Sequence, residues 1–263
     1  MKKIGVFDSG IGGLTVLHAL REACPRLDMV FFGDVGRMLY GVHDKETVLG
    51  YSRDCARFLR EQGVEAIVIA CNTATAASLS ELRQELPIPV YGVIEFAASA
   101  AKKATKNGRI GVIATDATVR SGSYTKALDG FTVLERPASP LVTMIEGGIA
   151  DTDERAVEAC KAVLADLPGQ DIDTLVLGCT HFPVYAKPIA QLLPGVTLID
   201  TGKALAVALR ETLGNGGCGR TEYYTSKKSE AFANMVYRLD ANAGEIVENP
   251  LPSPSSQNLK LKT

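Results

Sequence analysis

The chain lacks paired cysteines, a long apolar run and any strong charge. Six cysteines stand at positions 24, 55, 71, 160, 179 and 218, with no Cys-x-x-Cys pair among them. At 263 residues a core forms without cross-links, so reduced thiols in a cytoplasmic protein are expected rather than a disulfide scaffold. No stretch approaches the roughly 18 apolar residues of a membrane span. Asp8 also interrupts the N-terminal Met-Lys-Lys-Ile-Gly-Val-Phe before a secretory apolar region develops. A formal net charge of −2 offers no footprint for nucleic acid or an anionic membrane. The expectation is a soluble protein whose 46% hydrophobic content fills one large or two small cores.

What is present is organised around residues 64–75, Val-Glu-Ala-Ile-Val-Ile-Ala-Cys-Asn-Thr-Ala-Thr. The apolar run 66–70 suits a strand buried on both faces of a parallel sheet. It runs into Cys71, and then into an Ala-, Leu- and Glu-rich helix over 74–86, with Asn72 or Thr73 as its expected N-cap. Cys71 is thereby placed at the carboxyl end of a strand, where ligands bind in open α/β sheets. It also lies beside a helix N-terminus, which is expected to lower a thiol's pKa. Residues 172–183, Ile-Asp-Thr-Leu-Val-Leu-Gly-Cys-Thr-His-Phe-Pro, repeat the plan around Cys179.

The remaining chain reads as further alternation of strand and helix. Strands are expected over 3–7, 28–33, 90–94, 110–115, 131–134, 174–177, 196–199 and 221–225, and helices over 14–22, 47–62, 153–167, 203–213 and 229–239. Ile110-Gly-Val-Ile-Ala-Thr115 echoes Ile4-Gly-Val-Phe-Asp-Ser9, and each echo precedes its cysteine by a similar distance, as in an internal repeat. The fold class is therefore α/β: two similar three-layer halves with mainly parallel sheets and a cleft between them. The expected division is 1–94 with 209–248 returning to it, 95–208, and a flexible tail over 249–263, rich in Pro and Ser.

Two thiols facing one small ligand suggest inversion of a stereocentre. One thiolate removes a proton from carbon while the opposite thiol returns one to the other face, and thiol pKa values lie near the working pH. Asp8, Glu146 and His181 are available to assist proton movement at one or other sulfur. The turn Asp8-Ser-Gly-Ile-Gly-Gly13 matches neither a Walker A nor a GxGxxG loop and carries an acid that repels phosphate. Its backbone amides can instead hold a carboxylate. Cys71, Cys179 and His181 as zinc ligands have an unusual spacing, and a Cys–His hydrolase leaves the second cysteine unexplained. Cys24, Cys55 and Cys160 read as small core residues, Cys218 is unassigned, and His18 and His43 read as surface residues.

These residues, taken in order, resemble the glutamate racemase family. The likeness rests on Phe7-Asp-Ser-Gly-Ile-Gly-Gly13, Phe32-Gly-Asp34 with Tyr40-Gly41, Ala70-Cys-Asn-Thr-Ala74, Gly92-Val-Ile-Glu95, Ile110-Gly-Val-Ile with Ala117-Thr-Val119, and Leu177-Gly-Cys-Thr-His-Phe-Pro183. The resemblance implies that Cys71 and Cys179 are the two acid/bases, with Asp8 assisting Cys71, and Glu146 and His181 assisting Cys179. It implies a glutamate site lined by Asp8, Ser9, Tyr40, Gly41, Asn72, Thr73, Thr180 and His181. It further implies no cofactor or metal, D-glutamate supplied to peptidoglycan in the cytoplasm, and a homodimer. Leu39, the Phe96-Ala97 pair and Thr143 stand where the family commonly has Pro, Pro-Gly and Pro. A racemase for aspartate or another acidic amino acid, and a non-catalytic amino-acid-binding regulator, are the alternatives.

Overall fold

Short Val- and Ile-rich runs, each followed by an amphipathic stretch, make this a chain of βα units. The computed structural model describes residues 1–167 and 169–251. The first half contains β1 (Lys3–Asp8), α1 (Gly13–Ala23), β2 (Asp28–Gly33), α2 (Lys45–Glu61), β3 (Ile67–Ile69), α3 (Asn72–Glu85) and β4 (Val90–Gly92). Then come α4 (Val93–Ala104), β5 (Arg109–Ala114), α5 (Asp116–Arg120), α6 (Ser123–Ala127), β6 (Thr132–Pro137), α7 (Ser139–Glu146) and α8 (Glu154–Leu164). The chain continues through β7 (Thr174–Gly178), α9 (Ala186–Leu192), β8 (Thr197–Asp200) and α10 (Thr201–Leu213). It closes with β9 (Thr221–Thr225), α11 (Glu230–Leu239) and β10 (Ile246–Glu248).

Two sheets result, with strand orders β10-β9-β2-β1-β3-β4 and β6-β5-β7-β8. Every pairing is parallel, from Lys3 opposite Asp28 in the first sheet to Leu177 opposite Asp200 in the second. The order β2-β1-β3-β4 matches β6-β5-β7-β8, so the two halves share one arrangement. Apolar layers cover both faces of each sheet. Ile4, Val6 and Phe31 pack on one side of the first, and Phe7, Phe32 and Ile69 on the other. Leu175 and Leu177 face one layer of the second sheet, and Val112 and Val176 the other. Burial on both faces is why these strands are continuously apolar rather than alternating.

Several boundaries differ from the sequence expectation. The strand expected over 90–94 ends at Gly92, and Val93 opens α4, which sequence reading left undetected because its apolar start fuses with the strand. Its Val93 belongs to the core of the first half, while Ile94, Ala97, Ala98 and Ala101 belong to that of the second. The return to the first half comes before residue 209: Leu205, Ala206, Leu209 and Leu213 of α10 form one apolar stripe in that core. From residue 249 the expected flexible tail begins with ordered contacts. Asn249 N–H donates to the Thr225 carbonyl at 2.8 Å, and Leu251 packs on the first half. The rest of the tail, 252–263, lies outside the described residues.

Candidate active site

β1 and β3 are neighbours in one sheet, and β5 and β7 in the other. After β1 and β3 the chain departs towards opposite edges of its sheet, and likewise after β5 and β7. The crevice left at such a point is where open α/β sheets bind ligands. Here two crevices face one another. Ser9 and Cys71 leave the first, Thr115 and Cys179 the second, and all four line one cavity of about 600 Å³.

Cys71 itself caps α3, in place of the expected Asn72 or Thr73: the Ala74 N–H donates to its Sγ at 3.4 Å. The thiol is buried, and burial together with the Asp8 carboxylate pushes its pKa up to about 12, against the pull of Ala74 N–H and Ser9. The expected lowering by the helix N-terminus is thus outweighed by desolvation. Asp8 is fully buried, and burial raises its carboxyl to about 6 although the His181 charge and the Gly10 and Gly13 amides favour the ionised form. Gly10 N–H donates to Asp8 Oδ1 at 2.9 Å, and Thr180 Oγ1 donates to Asp8 Oδ2 at 3.5 Å, across the two halves.

On the opposite wall, Cys179 Sγ lies 3.5 Å from His181 Nδ1, and His181 Nε2 lies 2.6 Å from Glu146 Oε1. Burial alone would lower the imidazole's pKa, but Cys179 and Glu146 on either side overcome it and raise it to about 10. The ring is therefore charged at neutral pH, donating one N–H to each neighbour. Cys179, His181 and Glu146 form a continuous line of polar contacts from the cavity wall to a half-buried carboxylate.

Ser9, Tyr40, Gly41, Cys71, Asn72, Thr73, Cys179, Thr180 and His181 all border the cavity. Asp8 and Glu146 do not; each stands behind a residue that does. Tyr40 borders it without offering its hydroxyl, which donates to Asp34 Oδ2 at 2.5 Å. Arg37 grips the same carboxylate at 2.8 Å and Asp54 at 2.9 Å, anchoring the 3-10 turn Tyr40–Val42 at the cavity rim. The Met38–Leu39 peptide in this loop is cis. Thr115, Asp116, Ser139 and Met144 also border the cavity and were not singled out from sequence. Thr115 had a signal, since it ends the echo in which Ser9 is its counterpart. Its hydroxyl meets that of Thr73 at 2.9 Å, across the seam between the halves.

The other cysteines stand apart. Cys24, Cys55 and Cys160 are buried in apolar layers and Cys218 is exposed. His18 is exposed, and His43 lies edge-on to Tyr51. Among the described residues no group of three or more His, Cys, Asp or Glu side chains is placed to hold a metal, and no helix is long and apolar enough to cross a membrane.

Known proteins share both sequence and architecture with this chain. Residues 12–209 match the family model described as Asp/Glu/Hydantoin racemase. A glutamate racemase of Aquifex aeolicus is 42% identical over 253 residues, covering 95% of this chain and 98% of the relative. A glutamate racemase isoform from Bacillus anthracis superposes with a TM-score of 0.89 at 35% identity, covering 95% of this chain and 99% of that one. The glutamate racemase of Francisella tularensis, solved in complex with D-glutamate, gives a TM-score of 0.84 at 31% identity over 94% of this chain and 96% of that one.

Proposed function

The chain belongs to the Asp/Glu/Hydantoin racemase family, and on that premise we propose that it is a glutamate racemase, interconverting L- and D-glutamate by two-thiol proton transfer without a cofactor. The observation that carries this reading is a single cavity bordered by Cys71 from one half and Cys179 from the other, at corresponding strand ends. A planar carbanion formed between them takes back its proton from either side.

The two sides differ in how protons move. At neutral pH Cys71 is a thiol, held so by burial and by Asp8. A turnover that starts from this state takes the substrate proton on the Cys179 side and delivers one from Cys71. The charged His181, held by Glu146, favours the Cys179 thiolate that takes that proton, and the ring accepts the proton from the resulting thiol only after passing its own Nε2 proton to Glu146. In the reverse direction Cys71 takes the substrate proton and must first lose its own, and Asp8, mostly ionised above its pKa of about 6, is the group beside it assigned to accept that proton. The substrate's α-ammonium adds a positive charge that counters the Asp8 effect on Cys71. Ser9, the Gly41 backbone, Asn72, Thr73 and Thr180 are assigned to the glutamate, with Tyr40 shaping the rim rather than bonding through its phenol. Hydroxyls, amides and helix N-termini suit carboxylates and a developing enolate. We assign the D-glutamate to peptidoglycan synthesis in the cytoplasm, and the protein to a homodimer, on the family resemblance.

The test is incubation with L-glutamate in deuterated water without added cofactor, following optical activity and α-hydrogen exchange together. Loss of optical activity with deuterium at the α-carbon, absent with L-aspartate, is the expected result. No change with either amino acid refutes racemisation, and racemisation of aspartate instead refutes the glutamate assignment.

A further inference from the structure

Asn72 follows the cysteine of one half, and its side-chain amide is held from the other half. Tyr124, on α6, is fully buried, and its O–H donates to Asn72 Oδ1 at 2.7 Å. Asn72 Nδ2 is buried too, with no acceptor among the described residues. A buried amide N–H without an acceptor is costly, and here it belongs to a side chain of the cavity wall. Tyr124 also packs on the strand leading to the other cysteine: a Cβ on Gly178 would come within 3.0 Å of its Cε2. One side chain therefore touches the residue after Cys71 and the residue before Cys179.

The direction of the Tyr124–Asn72 bond follows from the chemistry of the two groups. A buried phenol in an apolar layer stays neutral and has one proton to give. Asn72 offers it an acceptor at Oδ1 and only donors at Nδ2. The bond therefore selects one of the two amide orientations, which are otherwise nearly equal in shape. In the selected orientation Nδ2 is left for a ligand acceptor, and glutamate brings two carboxylates.

We propose that Tyr124 is a positioning residue for glutamate: it fixes the Asn72 amide so that Nδ2 is the donor to a substrate carboxylate, and it does so only while the two halves are engaged. This rests on the glutamate racemase reading above. Tyr124→Phe removes only the hydroxyl and keeps the ring that fills the core, so the fold is retained. Its expected effect is a KM about tenfold higher, with kcat within threefold of wild type, as for an interaction present in ground and transition states alike. The two enantiomers have equal free energy, so kcat/KM must fall equally in both directions.

A double-mutant cycle with Asn72→Ala separates this role from simple packing. If Tyr124 acts through Asn72, the double variant matches Asn72→Ala alone. Asn72→Asp, which keeps an acceptor for Tyr124 but lacks the N–H donor, should then lose affinity as Asn72→Ala does. A KM within twofold of wild type for Tyr124→Phe, or effects that multiply in the double variant, overturn the proposal. The same cycle read as glutamate Kd by titration calorimetry keeps the outcomes distinct. Coupled Kd values in a protein that does not racemise sink the racemase reading alone, whereas a racemising wild type with uncoupled variants sinks this proposal alone.

Discussion

Replacing Gly12 by alanine should open the cleft, although the helix it precedes would tolerate the change. Gly12 caps α1 with φ −59° and ψ −35°, a conformation any L-residue adopts. Helix propensity alone predicts a neutral or favourable substitution. The packing predicts the opposite. A Cβ there would stand 2.3 Å from Thr180 Oγ1 and 2.8 Å from both Cε1 and Nδ1 of His181. Ordinary contact for a Cβ begins at 3.4 Å, so the Cys179 side must retreat by about 1 Å. Retreat is opposed by Thr15, whose Oγ1 donates to the Gly12 carbonyl at 2.8 Å and to that of Thr180 at 3.1 Å. Overpacking of this kind costs roughly 1–3 kcal/mol, which for a chain of this size lowers Tm by roughly 3–10 °C. A misplacement of about 1 Å in an active site costs on the order of 10²-fold in rate. We therefore expect kcat/KM for glutamate to fall about 100-fold in a protein that remains folded. Gly50→Ala is the control: nothing lies within 4 Å of its added Cβ, so it should stabilise α2 by roughly 0.5–1 kcal/mol and leave activity unchanged. Thermal unfolding and steady-state racemisation of both variants decide the matter. A Gly12→Ala protein with activity within threefold of wild type would refute the reasoning.

Other perturbations probe the remaining groups. Cys71→Ser and Cys179→Ser should each lower racemisation by about 10³-fold, since a hydroxyl is a far weaker base than a thiolate; either variant keeping a tenth of wild-type activity contradicts the two-thiol mechanism. His181 has a folded-state pKa of about 10 against an ordinary 6.5, so its stabilising contribution is complete below pH 6.5 and disappears as pH rises through 10. Urea unfolding from pH 6.5 to 10 should show a loss of up to about 5 kcal/mol, smaller in Glu146→Gln; identical profiles would show that the ring is not held charged by Glu146. Tyr40→Phe should cost roughly 1.5–3 kcal/mol, because Asp34 loses a hydrogen bond in a buried setting. Its kcat should stay within severalfold of wild type, and a loss of 10³-fold would mean that the phenol meets substrate.

Much of the architecture was legible because its causes are local. A strand buried on both faces needs an unbroken apolar run, and Lys3–Asp8 and Thr174–Gly178 show one. A helix on such a sheet needs a stripe, as in Val48, Cys55 and Leu59 of α2. Where two apolar segments meet without a polar break, as at Gly92 and Val93, the pattern cannot say where strand ends and helix begins. Nor does pattern reveal that Leu205 of α10 packs on the first half, because its stripe would fit either core.

The same division holds for the site. The amino-acid sequence by itself determined that two cysteines end corresponding strands, and it marked Asp8, Asn72, Thr180 and His181 beside them. Those positions follow from the βα repeat, which carries each loop to a sheet's carboxyl edge. Tertiary structure decided the chemistry each group is left with. Burial raises Cys71 where a helix N-terminus would lower it, and flanking partners charge His181 where burial would neutralise it. It also turned the Tyr40 hydroxyl to Asp34 and brought Tyr124 to Asn72 across the seam. Desolvation and cross-seam contacts depend on what the other half places nearby, and residues far apart in the chain supply them.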